Sequence, residues 1–267
     1  MSKKLGLALG GGGARGVVHV GFLKALEEEG ISPYCISGTS MGAIVGGCYA
    51  TGMSTDAVRD ALLGLKALDI VDIDALPFTR LSLLRSKKLQ KLFLKYIGDA
   101  TFEGLKIPFS CTAVDLYSGK LYVFKEGSLV KAVQASSCIP GIFRPVEHEG
   151  MLLVDGGVLC RVPVRQAKEL GADVVVGVDA IKNSAYPVEK IPNMASMAMR
   201  VFDIIDTVNV RNERACPDYP CDLLLEPEMA GITQYSIKLL DKAYEEGYSC
   251  LLYTSPAHET LRHVVCR

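Results

Sequence analysis

The stretch Tyr34-Cys-Ile-Ser37 runs into Gly38-Thr-Ser-Met-Gly42 and then into Ala43-Ile-Val-Gly-Gly-Cys-Tyr-Ala50. The first segment reads as a short strand and the last as a compact apolar helix. Between them lies G-x-S-x-G, the spacing of a nucleophile elbow. A sharp strand-to-helix turn crowds the backbone on both sides of its central residue, and Gly38 and Gly42 carry no Cβ to clash there. The turn sets the hydroxyl of Ser40 at a helix N-terminus, where the dipole and free N–H groups favour developing negative charge. Alone, the pattern also suits a turn that merely packs a helix on a sheet, so its surroundings decide.

Upstream, Leu5, Leu7 and Leu9 alternate with small residues, Gly10 to Gly13 follow, and a helical run from Arg15 to Glu29 is closed by Gly30. Gly11-Gly-Gly-Ala-Arg-Gly16 fits G-x-G-x-x-G, a dinucleotide-binding pattern. That function also expects an acidic residue about 20 residues on, at the end of the second strand. Here the strand ends Ile36-Ser37-Gly38, and the nucleotide reading loses. Beside Ser40 the loop takes a different purpose: the amides of Gly11, Gly12 and Gly13, with that of Met41, can donate to the carbonyl oxygen of a substrate bonded to the serine, as an oxyanion hole. Arg15 can orient the glycines or complement a phosphate, and is almost as well read as a surface residue at a helix start.

Farther along, Lys87 to Tyr96 reads as an amphipathic helix, Ile107 to Leu116 and Lys120 to Phe124 as strands of a hairpin turned at Tyr117-Ser-Gly119, and Gly150 to Val154 and Asp173 to Asp179 as buried strands flanking a helix at Pro163 to Leu170. A helix from Ala195 to Arg214 and a strand at Leu223 to Leu225 follow. Strands alternating with helices predict an α/β fold with a mostly parallel sheet covered on both faces.

With 267 residues, 49% hydrophobic and 22% charged, the chain is long enough for one sizeable domain. A net charge of −1 argues against nucleic acid as a partner. The nine cysteines form no CxxC pair, and Cys216 and Cys221 have no histidine nearby to complete a zinc site, so they read as reduced thiols of a cytosolic protein. No run approaches the ~20 apolar residues of a spanning helix. The basic cluster Arg80, Arg85, Lys87, Lys88, Lys91 and Lys95 suits either anionic headgroups or a solvated helix face. From Cys250 to Arg267 the sequence resembles a translated DNA adapter from library preparation, which predicts a single domain over residues 1–249 followed by a non-native tail. A genomic read across Gly247 decides this.

A Ser-His-Asp triad needs a histidine, and the chain has only His19, His148, His258 and His263. His19 falls on an apolar helix, where a structural role is commoner; His148 sits in the polar turn Val146-Glu-His-Glu-Gly150; the last two lie in the tail. Three aspartates, Asp115, Asp155 and Asp179, each close an apolar strand, where chemistry gathers in open α/β sheets. Position does not choose among them. Asp155 differs in being followed by Gly156 and Gly157, which permit a tight turn against substrate or backbone.

Together the motifs resemble those of the patatin-like phospholipases: a G-G-G-x-R-G loop at Gly11 to Gly16, the elbow at Gly38 to Gly42, and a D-G-A/G motif at Asp155 to Gly157, in the family's order. The likeness runs from Leu5 to about Asp179 and takes in Ala135 to Phe143. It implies a three-layer α/β/α fold and a lipid acyl hydrolase with a Ser40–Asp155 dyad, in which Asp155 takes the serine proton and later activates water. No metal or organic cofactor is needed. The implied substrate is a phospholipid or lysophospholipid, met by a cytoplasmic protein in peripheral contact with the inner membrane face. The rival readings are a Ser-His-Asp esterase using His148 and a non-enzymatic lipid-binding protein.

Overall fold

A computed structural model of the chain describes residues 3–65, 87–181, 190–191, 194–233 and 236–252. β1 (Leu5–Leu9) leads through a 3-10 turn at Gly13–Val17 into α1 (Val18–Glu28), and β2 (Cys35–Gly38) leads into α2 (Met41–Ala50), followed by α3 (Thr55–Leu63). Then come α4 (Lys87–Ile97), β3 (Phe109–Asp115), β4 (Lys120–Phe124), α5 (Leu129–Ser136), β5 (Val146–His148), β6 (Met151–Asp155) and α6 (Val164–Glu169). β7 (Val174–Val178), α7 (Met194–Arg214), β8 (Leu223–Leu225) and α8 (Leu240–Leu252) complete the described elements.

One sheet runs in the order β5-β6-β3-β2-β1-β7-β8, with β4 paired to β3. The strands from β3 through β8 in that order are parallel, while β4, β5 and β6 join antiparallel. The alternation along β1 divides the core. Leu5, Leu7 and Leu9 pack into the larger cluster, which includes residues of α1, α2 and α8. Ala8 faces a second cluster with Val164 and Ala167 of α6, which fits period-two geometry and explains the small residues between the leucines. The expected α/β/α layering with a mostly parallel sheet is what the chain adopts.

Two elements differ from the sequence reading. Val146 to Gly150 is not simply a polar turn: Val146–His148 is the edge strand of a hairpin with β6, closed by Glu149 and Gly150 at φ 49° and 81°. Three residues, two of them polar, carry too little periodicity to reveal an edge strand. The helix α5 is additional; its cap Ser128 accepts the Lys131 amide at 3.4 Å. α8 runs past Ser249 to Leu252, with Leu251 buried, and the rest of the suspected tail lies outside the described residues. No described helix is long and apolar enough to cross a membrane.

The register around β3 positions the site. β4 occupies one edge of β3 from Cys111 to Asp115, so β2, which pairs with Phe109 to Cys111, and β6, which pairs with Ala113 to Asp115, share the other edge. β2 runs parallel to β3 and β6 antiparallel, so their C-terminal ends point at each other. Gly38 stands opposite Cys111 and Asp155 opposite Ala113, and only Thr112 lies between.

Candidate active site

β2 ends at Gly38 and α2 starts at Met41, which leaves two residues for the turn. Ser40 makes it at φ 54° and ψ −119°, a conformation that costs a residue with a Cβ roughly 1–3 kcal/mol. The turn is held by the amide of Gly42 on the Thr39 carbonyl and those of Ala43 and Ile44 on the Ser40 carbonyl, at 2.9, 2.9 and 3.1 Å. A Cβ on Gly42 would run into the carbonyl of Leu9, and one on Gly38 into that of Gly42. Ser40 donates its own amide to Ser136 Oγ at the end of α5, 2.9 Å away. The Met41 amide has no partner among the described residues.

Asp155 closes β6 and is 1% exposed. Its Oδ1 accepts the Gly157 amide at 2.8 Å. Burial pushes its carboxyl up to about 7, against the Ser40 hydroxyl and the Gly157 amide, which hydrogen-bond to it and favour the ionised form. Behind the pair, Thr39 Oγ1 donates to the Cys160 carbonyl at 3.0 Å and therefore accepts from Thr112 Oγ1 at 2.7 Å. Thr112, the residue between the two strand ends, also presses on the next turn: a Cβ on Gly156 would collide with its hydroxyl and carbonyl.

The glycine loop enters from the β1 side. Gly10 donates to Val178 at 3.0 Å, and its carbonyl lies 2.7 Å from His19 Nε2. Burial pulls the His19 pKa down to about 4, so the ring is neutral at pH 7 and Nε2 donates. His19 is thus a structural brace, the role expected for it. Gly11 donates to the Arg161 carbonyl at 3.1 Å, which takes its amide out of the set of free donors named from the sequence. The amides of Gly12 and Gly13 have no partner among the described residues. Arg15 is buried rather than on the surface, its Nε donating to the Ile232 carbonyl at 2.7 Å, so it braces the loop. Gly16 lies close against the Met41 side chain. The structure brings Gly11, Gly12, Gly13, Ser40, Asp155 and Gly157 to one cleft, whose remaining lining is Ile139, Arg161, Ile181, Phe202 and Asp206.

The family profile described as patatin-like phospholipase matches residues 7–168. The chain belongs to the patatin-like phospholipase family. Among curated relatives it is 36% identical over 186 residues to an uncharacterized NTE family protein of Mycobacterium tuberculosis, spanning 70% of this chain and 51% of that one. It is 27% identical to lysophospholipase nte1 of Emericella nidulans, across 92% of this chain and 18% of that protein. The chain therefore spans about half of the first relative's length and less than a fifth of the second's. Among solved structures, VipD from Legionella pneumophila aligns over 96% of this chain and 67% of its own with a TM-score of 0.60 at 16% identity, a likeness of fold.

This patatin-like chain also surrounds the cleft with residues the sequence did not single out. Arg161, 1% exposed, donates to Asp179 and to Asp206 of α7, both at 2.8 Å. Arg214 joins Asp179 at 2.7 Å and Glu226 at 2.8 Å. Burial pushes the Asp206 carboxyl up to about 7 although the Arg161 cation opposes it. The only hint of this network in the sequence is an isolated charge within apolar runs, Arg161 before Val-Pro and Asp206 after Ile-Ile. Asp179 is therefore a sheet-end anchor.

The other polar candidates lie elsewhere. Asp115 binds its own turn, accepting the Ser118 hydroxyl at 2.6 Å and the amides of Tyr117, Ser118 and Leu152. His148 pairs with Met151 at the far end of the β5–β6 hairpin and lies 3.3 Å from the Tyr122 hydroxyl. Four residues of strand, ~13 Å at ~3.3 Å per residue, separate Met151 from Asp155. Of the basic cluster, Lys91 and Lys95 are exposed on α4, while Arg80 and Arg85 lie outside the described residues.

Proposed function

We propose that the protein is a serine lipid acyl hydrolase that works through a Ser40–Asp155 dyad on carboxylic esters of phospholipids or lysophospholipids. The observation that carries this is the placing of Ser40 and a fully buried Asp155, whose carboxyl burial raises to about 7, in one cleft with the Gly12 and Gly13 amides, which have no partner among the described residues. A base tuned to the working pH combines adequate ionisation with adequate strength. Asp155 takes the hydroxyl proton as Oγ attacks the ester carbonyl. The amides of Gly12, Gly13 and Met41 receive the developing oxyanion, and loss of one such donor typically costs ~10²–10³ in rate. Collapse expels the alcohol, which takes the proton back from Asp155. Asp155 then deprotonates a water that attacks the acyl-enzyme; collapse breaks the ester bond to Ser40, whose Oγ takes that proton back from Asp155, and the fatty acid leaves.

Family membership and a relative named lysophospholipase support the substrate class. The distance of His148 from the cleft disfavours a Ser-His-Asp triad. Treatment with a fluorophosphonate followed by peptide mass spectrometry tests the assignment. Label on Ser40 is expected; a folded protein that takes no label, or takes it elsewhere, would count against it.

A further inference from the structure

The helix α7 turns Phe202 and Asp206 to the cleft and Val210 to the core. At 100° per residue, Met197, Val201, Ile204, Ile205 and Val208 fall within a separate arc about 100° wide. All five are exposed, at 44–49%. A contiguous apolar strip of this kind on a soluble surface marks an interaction site. Its charged neighbours have one sign. Arg200 and Arg211 fall on the same arc's edge, Arg200 half-buried and Arg211 exposed, while the helix's carboxylates Asp203, Asp206 and Glu213 fall on other sides. At the rim, Leu159 is exposed just after the Asp155 turn, and the preceding Val158 carbonyl accepts Asn209 Nδ2 of α7 at 2.7 Å. The strip is therefore fixed to the wall of the catalytic cleft.

We propose that this outer face of α7 seats the protein on an anionic lipid surface, presenting the cleft mouth to the aggregated substrate. The proposal rests on the acyl hydrolase reading above. An amphipathic helix with an apolar stripe and cationic edge lies in the headgroup region with its apolar residues among the acyl chains. The cationic edge favours anionic lipid over a second copy of the same strip, whose arginines would be brought against its own.

The test is flotation of the whole chain with phosphatidylcholine vesicles, with and without phosphatidylglycerol, for wild type and for Val201→Asp/Ile204→Asp. Turnover of a water-soluble nitrophenyl ester and the mass in solution are measured on the same preparations. Wild type is expected to float, more so with phosphatidylglycerol. The double variant is expected to partition about tenfold less or worse, since burying one such side chain is worth more than a factor of ten. Its hydrolysis of vesicle lipid falls in parallel, while its turnover of the soluble ester stays at the wild-type level, which also shows that it folds. Equal flotation of the variant, or no flotation of the wild type, would overturn the proposal. So would a wild-type dimer that the variant dissolves, which would make the strip a contact between copies. Absence of soluble-ester turnover in the wild type would instead sink the hydrolase reading and leave the flotation result to be read by itself.

Discussion

Asp115 and Asp155 close neighbouring antiparallel strands and stand two positions apart on the ladder, Asp115 opposite Leu153 and Asp155 opposite Ala113. Their surroundings are opposite. Asp115 collects the Ser118 hydroxyl and three amides, which hold its carboxyl down at about 2 although burial works the other way. Asp155 receives one amide and the Ser40 hydroxyl in a site closed to solvent, and burial wins, lifting it to about 7. The same residue type at the same kind of strand end is thus made a turn anchor in one place and, on the proposed mechanism, a base in the other. What differs is the count of donors that reach each carboxylate.

The largest effect expected is from Ser40→Ala. It should lower ester turnover by ~10³ or more and, by deleting a donor, raise the Asp155 pKa further while leaving that of Asp115 in place. Carboxyl titration followed by NMR would show whether the two respond separately. Next comes Gly156→Ala, whose Cβ has to displace Thr112 or the Asp155 turn. A displacement near 1 Å is worth ~10² in rate, and steady-state kinetics on folded protein checks it.

The pH dependences should run in opposite directions. Asp155 must be ionised to act, so kcat/KM should fall about tenfold per pH unit below about 7 and level off above it. For stability, the raised pKa means the folded state holds a proton that the unfolded chain releases near 4. The contribution of Asp155 is therefore fully present below pH 4 and lost as pH rises through about 7. Asp115 contributes above about pH 4 and loses this as pH falls toward 2. Accordingly Asp155→Asn should be stabilised relative to wild type at pH 8 more than at pH 4, by roughly 2–4 kcal/mol, read from urea midpoints. The smallest effect is assigned to His148→Ala, with turnover within about twofold of wild type, because the ring sits at the far end of the hairpin.

The turn at Ser40 was legible in part because one cause is local: a Cβ on Gly38 would meet the Gly42 carbonyl four residues on, and the alternating leucines of β1 announce a strand, whereas the constraint on Gly42 comes from the Leu9 carbonyl of β1. Position did not choose Asp155 over Asp115: the donors of Tyr117 and Ser118 reach Asp115 from its own turn, but the Leu152 amide arrives from β6, and the burial that sets Asp155 apart is a tertiary property. The donor role first given to Gly11 failed for a similar reason. A glycine loop advertises free amides, but the Arg161 carbonyl that consumes one of them arrives from 150 residues away in sequence. The pairing of Arg161 with Asp206 could not be read from the sequence, because 45 residues separate two partners that the packing of α7 brings together.

The most direct test is hydrolysis of a short-chain nitrophenyl ester by Asp155→Asn and Asp115→Asn beside the wild type, at pH 8 and normalised to folded protein. The dyad requires Asp155→Asn to lose ~10³-fold or more while Asp115→Asn stays within about twofold and shows only a lower denaturation midpoint. Substantial turnover by Asp155→Asn, or an equal loss in both variants, would contradict the assignment of the base.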